Sequence, residues 1–246
     1  MKKYTIILII IISQLSFSQN TINEVIYKKK VNVIFKKKVD KKIADLYEEA
    51  TKKSEKTKYK LQFNKSISFF EKIESLEKEE MSYASLLANS FGLEPGKYYI
   101  DTSRDSVVNQ KNFRTDLFRI TSKLSDKNWK IDFDTSKKIG NYTCYKATGI
   151  KKILMPGGNM KSFPVTAWFA TELPYPFGPA DCGGLPGLIL EIHIKSTIIY
   201  ADKITLNKKL IKKEKGIKPL KKGILLSSED YIKMQKSGGV YKRPKR

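Results

Sequence analysis

Histidine and cysteine are nearly absent from this sequence. It has one His, at position 193, and two Cys, Cys144 and Cys182, in 246 residues. That supply excludes a multi-cysteine zinc module and a three-histidine metal centre. There is no Gly-x-Ser-x-Gly elbow, no phosphate-binding loop and no Gly-x-Gly-x-x-Gly fingerprint, so the familiar hydrolase and nucleotide-binding patterns are missing. Arginine is scarce as well. It stands only at 104, 114, 119, 243 and 246, which leaves 43 of the 48 basic residues as lysine. Lysine is a hydrated point charge without the planar fork that reads phosphates and base edges, so a nucleic-acid partner is not expected. Beyond the N-terminus no apolar run approaches the ~20 residues that span a bilayer.

Positive charge is abundant. Lys and Arg outnumber 25 Asp and Glu, for a formal charge of +23. Hydrophobic residues make up 40%, which is too many for a wholly disordered chain. The lysines spread along the whole length, as a solvated surface requires. An anionic membrane surface is the alternative partner, with the tail from Asn207 to Lys222 as the candidate contact.

Lys2 and Lys3 precede the apolar run Tyr4–Ile12, followed by Ser16, Phe17 and Ser18. A short charge, a short apolar core and small residues at alternate positions read as a secretory signal, cut after Ser18. Its removal leaves a charge of +21. The expected address is the periplasm or the extracellular space, without a transmembrane helix.

Residues 22–35 read as two short strands separated by Lys28–Lys30. Residues 39–57 switch to helical spacing behind Asp40, a capping residue. Tyr59–Phe63 and Ile67–Phe70 form a hairpin pattern around Asn64, and residues 74–91 suggest a second helix or an insertion. From Tyr98 onward short strands follow each other closely, at 98–100, 106–108, 116–121, 129–133 and 142–148. Connections this short leave no room for crossover helices, so the sheet should be antiparallel. Met155–Met160 has turn chemistry.

Val165–Ala170 is strand-like and runs into Thr171–Gly187. Pro174, Pro176 and Pro179 stiffen that loop, and Gly183, Gly184 and Gly187 allow unusual backbone angles. Leu188–Ile194 then alternates, with Leu188, Leu190, Ile192 and Ile194 on one face and Glu191 and His193 on the other. Ile198–Leu206 returns as its partner. Ser227 and Ser228 with Glu229 and Asp230 announce a capped helix to about Gln235.

Gly184-Leu-Pro-Gly-Leu-Ile189 spells a family signature, and its companions stand in order. These are Trp129 with Ile131, Ile139–Thr148, Ala167–Thr171, Leu173-Pro174 and Gly178-Pro179. On these motifs the chain resembles the GLPGLI family of secreted Gram-negative bacterial proteins, closely over about residues 98–206 and loosely over Tyr59–Phe70. The family has no assigned activity, so the resemblance implies location and fold. Its strand pattern resembles the half-open barrel of periplasmic lipoprotein carriers, at the level of fold alone. The family pattern more often has an aromatic at the position of Cys182.

The expected fold is mainly β with some α: a strongly curved antiparallel sheet or half-open barrel with one or two helices. The expected organisation is a signal at 1–18, one domain at 19–206 and a basic tail at 207–246. Cys144 and Cys182 are a possible disulfide, worth about 4 kcal/mol, or two buried thiols, or a reactive thiol at Cys182. His193 with Glu191 reads as a solvated strand face. Asp181, Cys182 and His193 make a nucleophile–base–acid set only on paper. No catalytic residue, cofactor or metal is expected. Trp168, Phe169, Tyr175 and Phe177 are candidates for the rim of an apolar ligand site on the concave face. The function expected is a non-enzymatic binding protein for an apolar ligand, a peptide or a protein segment. The alternative is an envelope-associated structural or interaction module, with an unidentified envelope protein as partner.

Overall fold

A computed structural model describes residues 21–35, 37–74, 82–155, 159–210, 216–238 and 241. The expected signal at 1–18, the stretch 75–81 and the centre of the expected turn, 156–158, lie outside them.

The described chain runs β1 (Thr21–Val31), α1 (Lys41–Glu55), β2 (Lys58–Phe63), β3 (Ile67–Lys72), α2 (Tyr83–Ser90), β4 (Lys97–Asp101), β5 (Ser106–Phe113), β6 (Asp116–Lys123), β7 (Lys130–Ile139), β8 (Tyr142–Leu154), β9 (Met160–Ala170), β10 (Leu188–Ile194), β11 (Thr197–Lys209), β12 (Ile224–Ser227) and α3 (Ser228–Lys236). The strands form one sheet in the order β12-β6-β5-β4-β3-β2-β1-β11-β10-β9-β8-β7, not closed into a barrel. The β-rich expectation holds, and one detail differs. The β12–β6 pair is parallel, while every other pair is antiparallel, including β1–β11 across the centre.

The two strands expected in 22–35 are one strand, β1. It has partners on both edges, β11 and β2. Its lysines fit because their stems are apolar and their amines find oxygens. Lys28 pairs with Asp202 at 2.9 Å. Lys29 is buried and donates to the Phe91 carbonyl at 3.2 Å.

Asp40 caps α1 as expected, accepting from the Lys42 amide at 2.8 Å. Ser82 caps α2, accepting from the Ser85 amide at 3.1 Å. The two helices meet through Ala50, Ala84 and Ala88, residues small enough to let the backbones approach. Asn64 turns β2 into β3 by accepting from the Ser66 and Ile67 amides at 3.0 and 2.9 Å.

The loop Thr171–Gly187 fills the hollow of the sheet. Leu173, Phe177, Ala180, Cys182 and Leu185 are all buried in the main core. Strands far apart in the sheet grip this loop. Phe63 of β2 packs edge-on to Tyr175 at 4.9 Å and lies 5.9 Å from Phe177. The Tyr27 hydroxyl of β1 donates to the Ile189 carbonyl at 2.6 Å. The Trp129 indole, just before β7, donates to the Gly183 carbonyl at 2.8 Å. Inside the loop, the Gly184 amide donates to Pro176 at 3.0 Å and the Ile189 amide to Phe177 at 2.9 Å. These bonds pair several of the loop's backbone polar groups, as a buried loop requires.

The expected boundary at 206 falls inside β11, and among the described residues beyond it β12 and α3 dock on the sheet. Arg119 of β6 reaches the Gly223 carbonyl at 3.3 Å and the Leu220 carbonyl at 3.2 Å. Tyr231 and Met234 of α3 pack on Phe118 and Ile120 of β6. Four apolar-rich residues at β12 and one apolar stripe on α3 suffice to dock a stretch that reads by composition as a solvated tail.

Candidate functional site

A cleft of about 830 Å³ opens between β5, β6 and α3 on one side and β8 and β9 on the other. Val107 and Asn109 come from β5, Ile120 and Ser122 from β6, and Tyr231 and Ile232 from α3. Gly149, Ile150, Lys151 and Lys152 come from β8. The cleft is therefore built from positions far apart in sequence.

Its walls carry six lysines: Lys111, Lys123, Lys127, Lys130, Lys151 and Lys152. Its acids are four: Glu94, Asp126, Asp181 and Glu229. Lys111 pairs with Glu94 at 2.8 Å and lies over the Tyr231 ring at 4.7 Å. Lys127 and Lys151 converge on Asp181, Lys151 at 2.8 Å. Burial alone would raise the Asp181 carboxyl. The two ammonium groups outweigh burial and hold it far below the usual carboxylate range. Burial likewise works against the Lys151 charge, and Asp181 reverses that, so this lysine stays protonated. One carboxylate thus serves two lysines, and Lys123, Lys130 and Lys152 form no ion pair among the described residues.

Cys182 follows Asp181, with its sulfur 4.0 Å from an Asp181 oxygen. Cys144 is on β8, 3.9 Å from the Tyr142 carbonyl. Both are free and buried, so the possible bridge is not formed in this structure. The two thiols share no charged neighbour. Cys144 senses Lys137, Glu191 and Glu172, whereas Cys182 senses Asp181, Lys127 and Lys151. Burial pushes both thiols up to about 11, away from the reactive thiolate. The expected result is that neither thiol of unreduced native protein reacts with Ellman's reagent and both react in denaturant. A zero count in denaturant would mean that the cysteines are bridged.

The paper triad does not assemble. His193 bonds to Glu191 on its own strand face, and Lys137 reaches the same carboxylate at 2.6 Å. Burial works to raise Glu191, but the hydrogen bonds from His193 and Lys137 leave it below its ordinary value. Asp181 is engaged by two lysines instead. No group of three metal-binding side chains occurs among the described residues.

The four rim aromatics separate. Phe169 and Phe177 are fully buried core residues. Tyr175 is partly buried against Phe63. Trp168 lies on the other face of β9 beneath the Lys137 amine, 4.4 Å away. None of them lines the cleft. Successive residues of a strand point to opposite faces, so Trp168 and Phe169 could not have shared one rim. Of the signature, Leu185, Leu188 and Ile189 are buried in the core, while Gly184 and Pro186 are exposed. The signature therefore builds the plug rather than a binding surface. The cleft lysines carried no local signal, because each looks like any other surface lysine.

No helix among the described residues is long and apolar enough to cross a membrane. No curated protein matches the sequence. The chain is similar in fold to two solved structures of PNGF-II, in space groups C2 and P21, with TM-scores of 0.50 and 0.51. Identity is 14% in each case, over 87% of this chain. The chain spans about a third of the length of PNGF-II, 32% and 33% in the two structures. Residues 155–191, which hold β9, the plug and the start of β10, match a family described as "Protein of unknown function (Porph_ging)".

Proposed function

We propose that this chain is an exported, non-catalytic binding protein whose lysine-lined cleft takes a negatively charged ligand. The observation that carries this reading is the charge of the lining: six lysines against four acids, an excess of two positive charges, with Lys123, Lys130 and Lys152 and the acids Asp126 and Glu229 outside any ion pair among the described residues. A cleft whose lining has an excess of one sign of charge favours ligands of the other. The hollow of the sheet, where an apolar ligand would have been held, is filled by the chain's own loop. That favours a charged occupant over an apolar one. The docking of Leu220, Gly223, β12 and α3 on β6 also counts against a free tail over those residues, and so weakens the reading of an envelope module. Export rests on the Lys2–Ser18 pattern.

Polyaspartate titrated into the protein by calorimetry tests the charge reading, with Nile red as the apolar probe. Polyaspartate should bind, and its affinity should fall roughly tenfold from low to physiological salt. Nile red should gain no fluorescence. Nile red binding without polyaspartate binding would overturn the proposal, as would an affinity indifferent to salt.

A further inference from the structure

We infer that the occupant is an extended acidic peptide, held as an added strand along the free edge of β8. This rests on the anionic reading above and goes further, because it names the ligand class and its mode of binding. β8 and β9 pair without interruption from Cys144↔Ala170 to Leu154↔Met160. β7 covers the other edge of β8 only as far as the Lys130↔Thr148 pair. Residues Gly149–Leu154 therefore have a partner on one edge and none on the other among the described residues. Six residues of strand offer ~20 Å of edge. Four of them, Gly149, Ile150, Lys151 and Lys152, line the cleft.

The direction of the backbone groups follows from their neighbours. The Met155 amide donates to the Asn159 carbonyl at 2.9 Å. The Thr143 amide donates to the Glu172 carboxylate, beyond the end of β9, at 3.0 Å. Both amides point to the β9 side. Alternation along a strand then sends the amides of Ile150 and Lys152 the other way, into the open edge. The residue opposite Ile150 is Pro164. Proline has no N–H, which suits a pair that exchanges no hydrogen bonds and agrees with that direction.

The edge of β7 itself is less receptive. Its pairing shifts between Asp132 and Ser136. There the Asp132 carboxylate takes the Asp134 and Thr135 amides at 3.0 and 3.1 Å. Such a bulge interrupts strand pairing. The β8 edge has no such break. An incoming strand would find main-chain donors and acceptors on β8, the exposed Ile150 side chain, and the unpaired amines of Lys123, Lys130 and Lys152 nearby. In this mode main-chain hydrogen bonds supply affinity, and the side-chain environment supplies selection. Selection here is for Asp and Glu.

The test is a titration of the whole protein with an eight-residue peptide of alternating Asp and Val. The control is the same sequence N-methylated at every residue. Charge and side chains are equal, but the control has no backbone donors. The plain peptide should bind at least tenfold more tightly. Ile150→Pro, which removes one outward N–H without breaking a bond to β9, should weaken the plain peptide by a similar factor. Polyaspartate, which has backbone donors of its own, should weaken in the same direction. Equal affinity for the two peptides would overturn strand addition and leave the anionic reading standing. Binding of polyaspartate but of neither peptide would do the same. Failure of all three probes would overturn both. Should Ile150→Pro not fold, the peptide pair alone decides.

Discussion

Replacing Gly187 with alanine should cost about 3 kcal/mol or more, or a fall in Tm of ~6–12 °C. A Cβ at this position would lie 2.2 Å from the Ala170 carbonyl oxygen and 2.6 Å from its carbon. Those atoms belong to the backbone at the end of β9, so no side chain can swing aside. The plug leaves β9 at Ala170 and enters β10 at Leu188, and these two residues pair. Opening that pair would loosen both ends of the loop that fills the core. Gly216→Ala is the control. Among the described residues nothing lies within 4 Å of its added Cβ, so its effect should stay within ~0.5 kcal/mol. Denaturant melts of the two variants decide the matter. Equal stabilities would show that the plug is not held as described.

Asp181→Asn should also destabilise strongly, by about 3 kcal/mol at neutral pH. The substitution keeps the shape and removes the charge on which Lys127 and Lys151 converge. The estimate sits at the low end for a broken buried pair because the Asp181 side chain keeps 19% exposure. The pH dependence gives a second readout. In the wild type the Asp181 carboxyl is depressed, so its contribution is complete above the unfolded value of ~3.9. That contribution fades as pH falls below about 4. In the variant, burial acts on Lys151 with its main opposing carboxylate gone and only the weaker pull of Glu94 left, which lowers its pKa. A lysine with a lowered folded pKa favours the folded state more as pH rises, so the variant should regain stability toward pH 10. A variant equally unstable from pH 6 to pH 10 would contradict this.

The sheet was readable because most strands have one buried face. Tyr59–Phe63 and Leu188–Ile194 alternate clearly, and the structure has them as β2 and β10. β1 was less legible. Lys28–Lys30 look like a break, yet a lysine can lie in a central strand when its stem is covered and its amine reaches an oxygen. β12 is four residues long inside a lysine-rich stretch, and its pairing depends on Arg119 about a hundred positions earlier. The plug was visible as a stiff loop. Its destination was not, because prolines and glycines shape a rim as well as they shape a core. The cleft left no local trace. Its lining runs from Glu94 to Gln235, and only the fold brings those residues together.

The central claim is that the cleft, rather than the overall positive charge, selects an acidic ligand. Two charge-reversed variants separate these. Lys130→Glu with Lys152→Glu changes two exposed lysines in the cleft. Lys41→Glu with Lys42→Glu makes the same change in net charge at the exposed start of α1. The account predicts that polyaspartate affinity falls at least tenfold for the cleft variant and by less than about twofold for the helix variant. Equal losses in the two would contradict it and return the binding to the general charge of the surface.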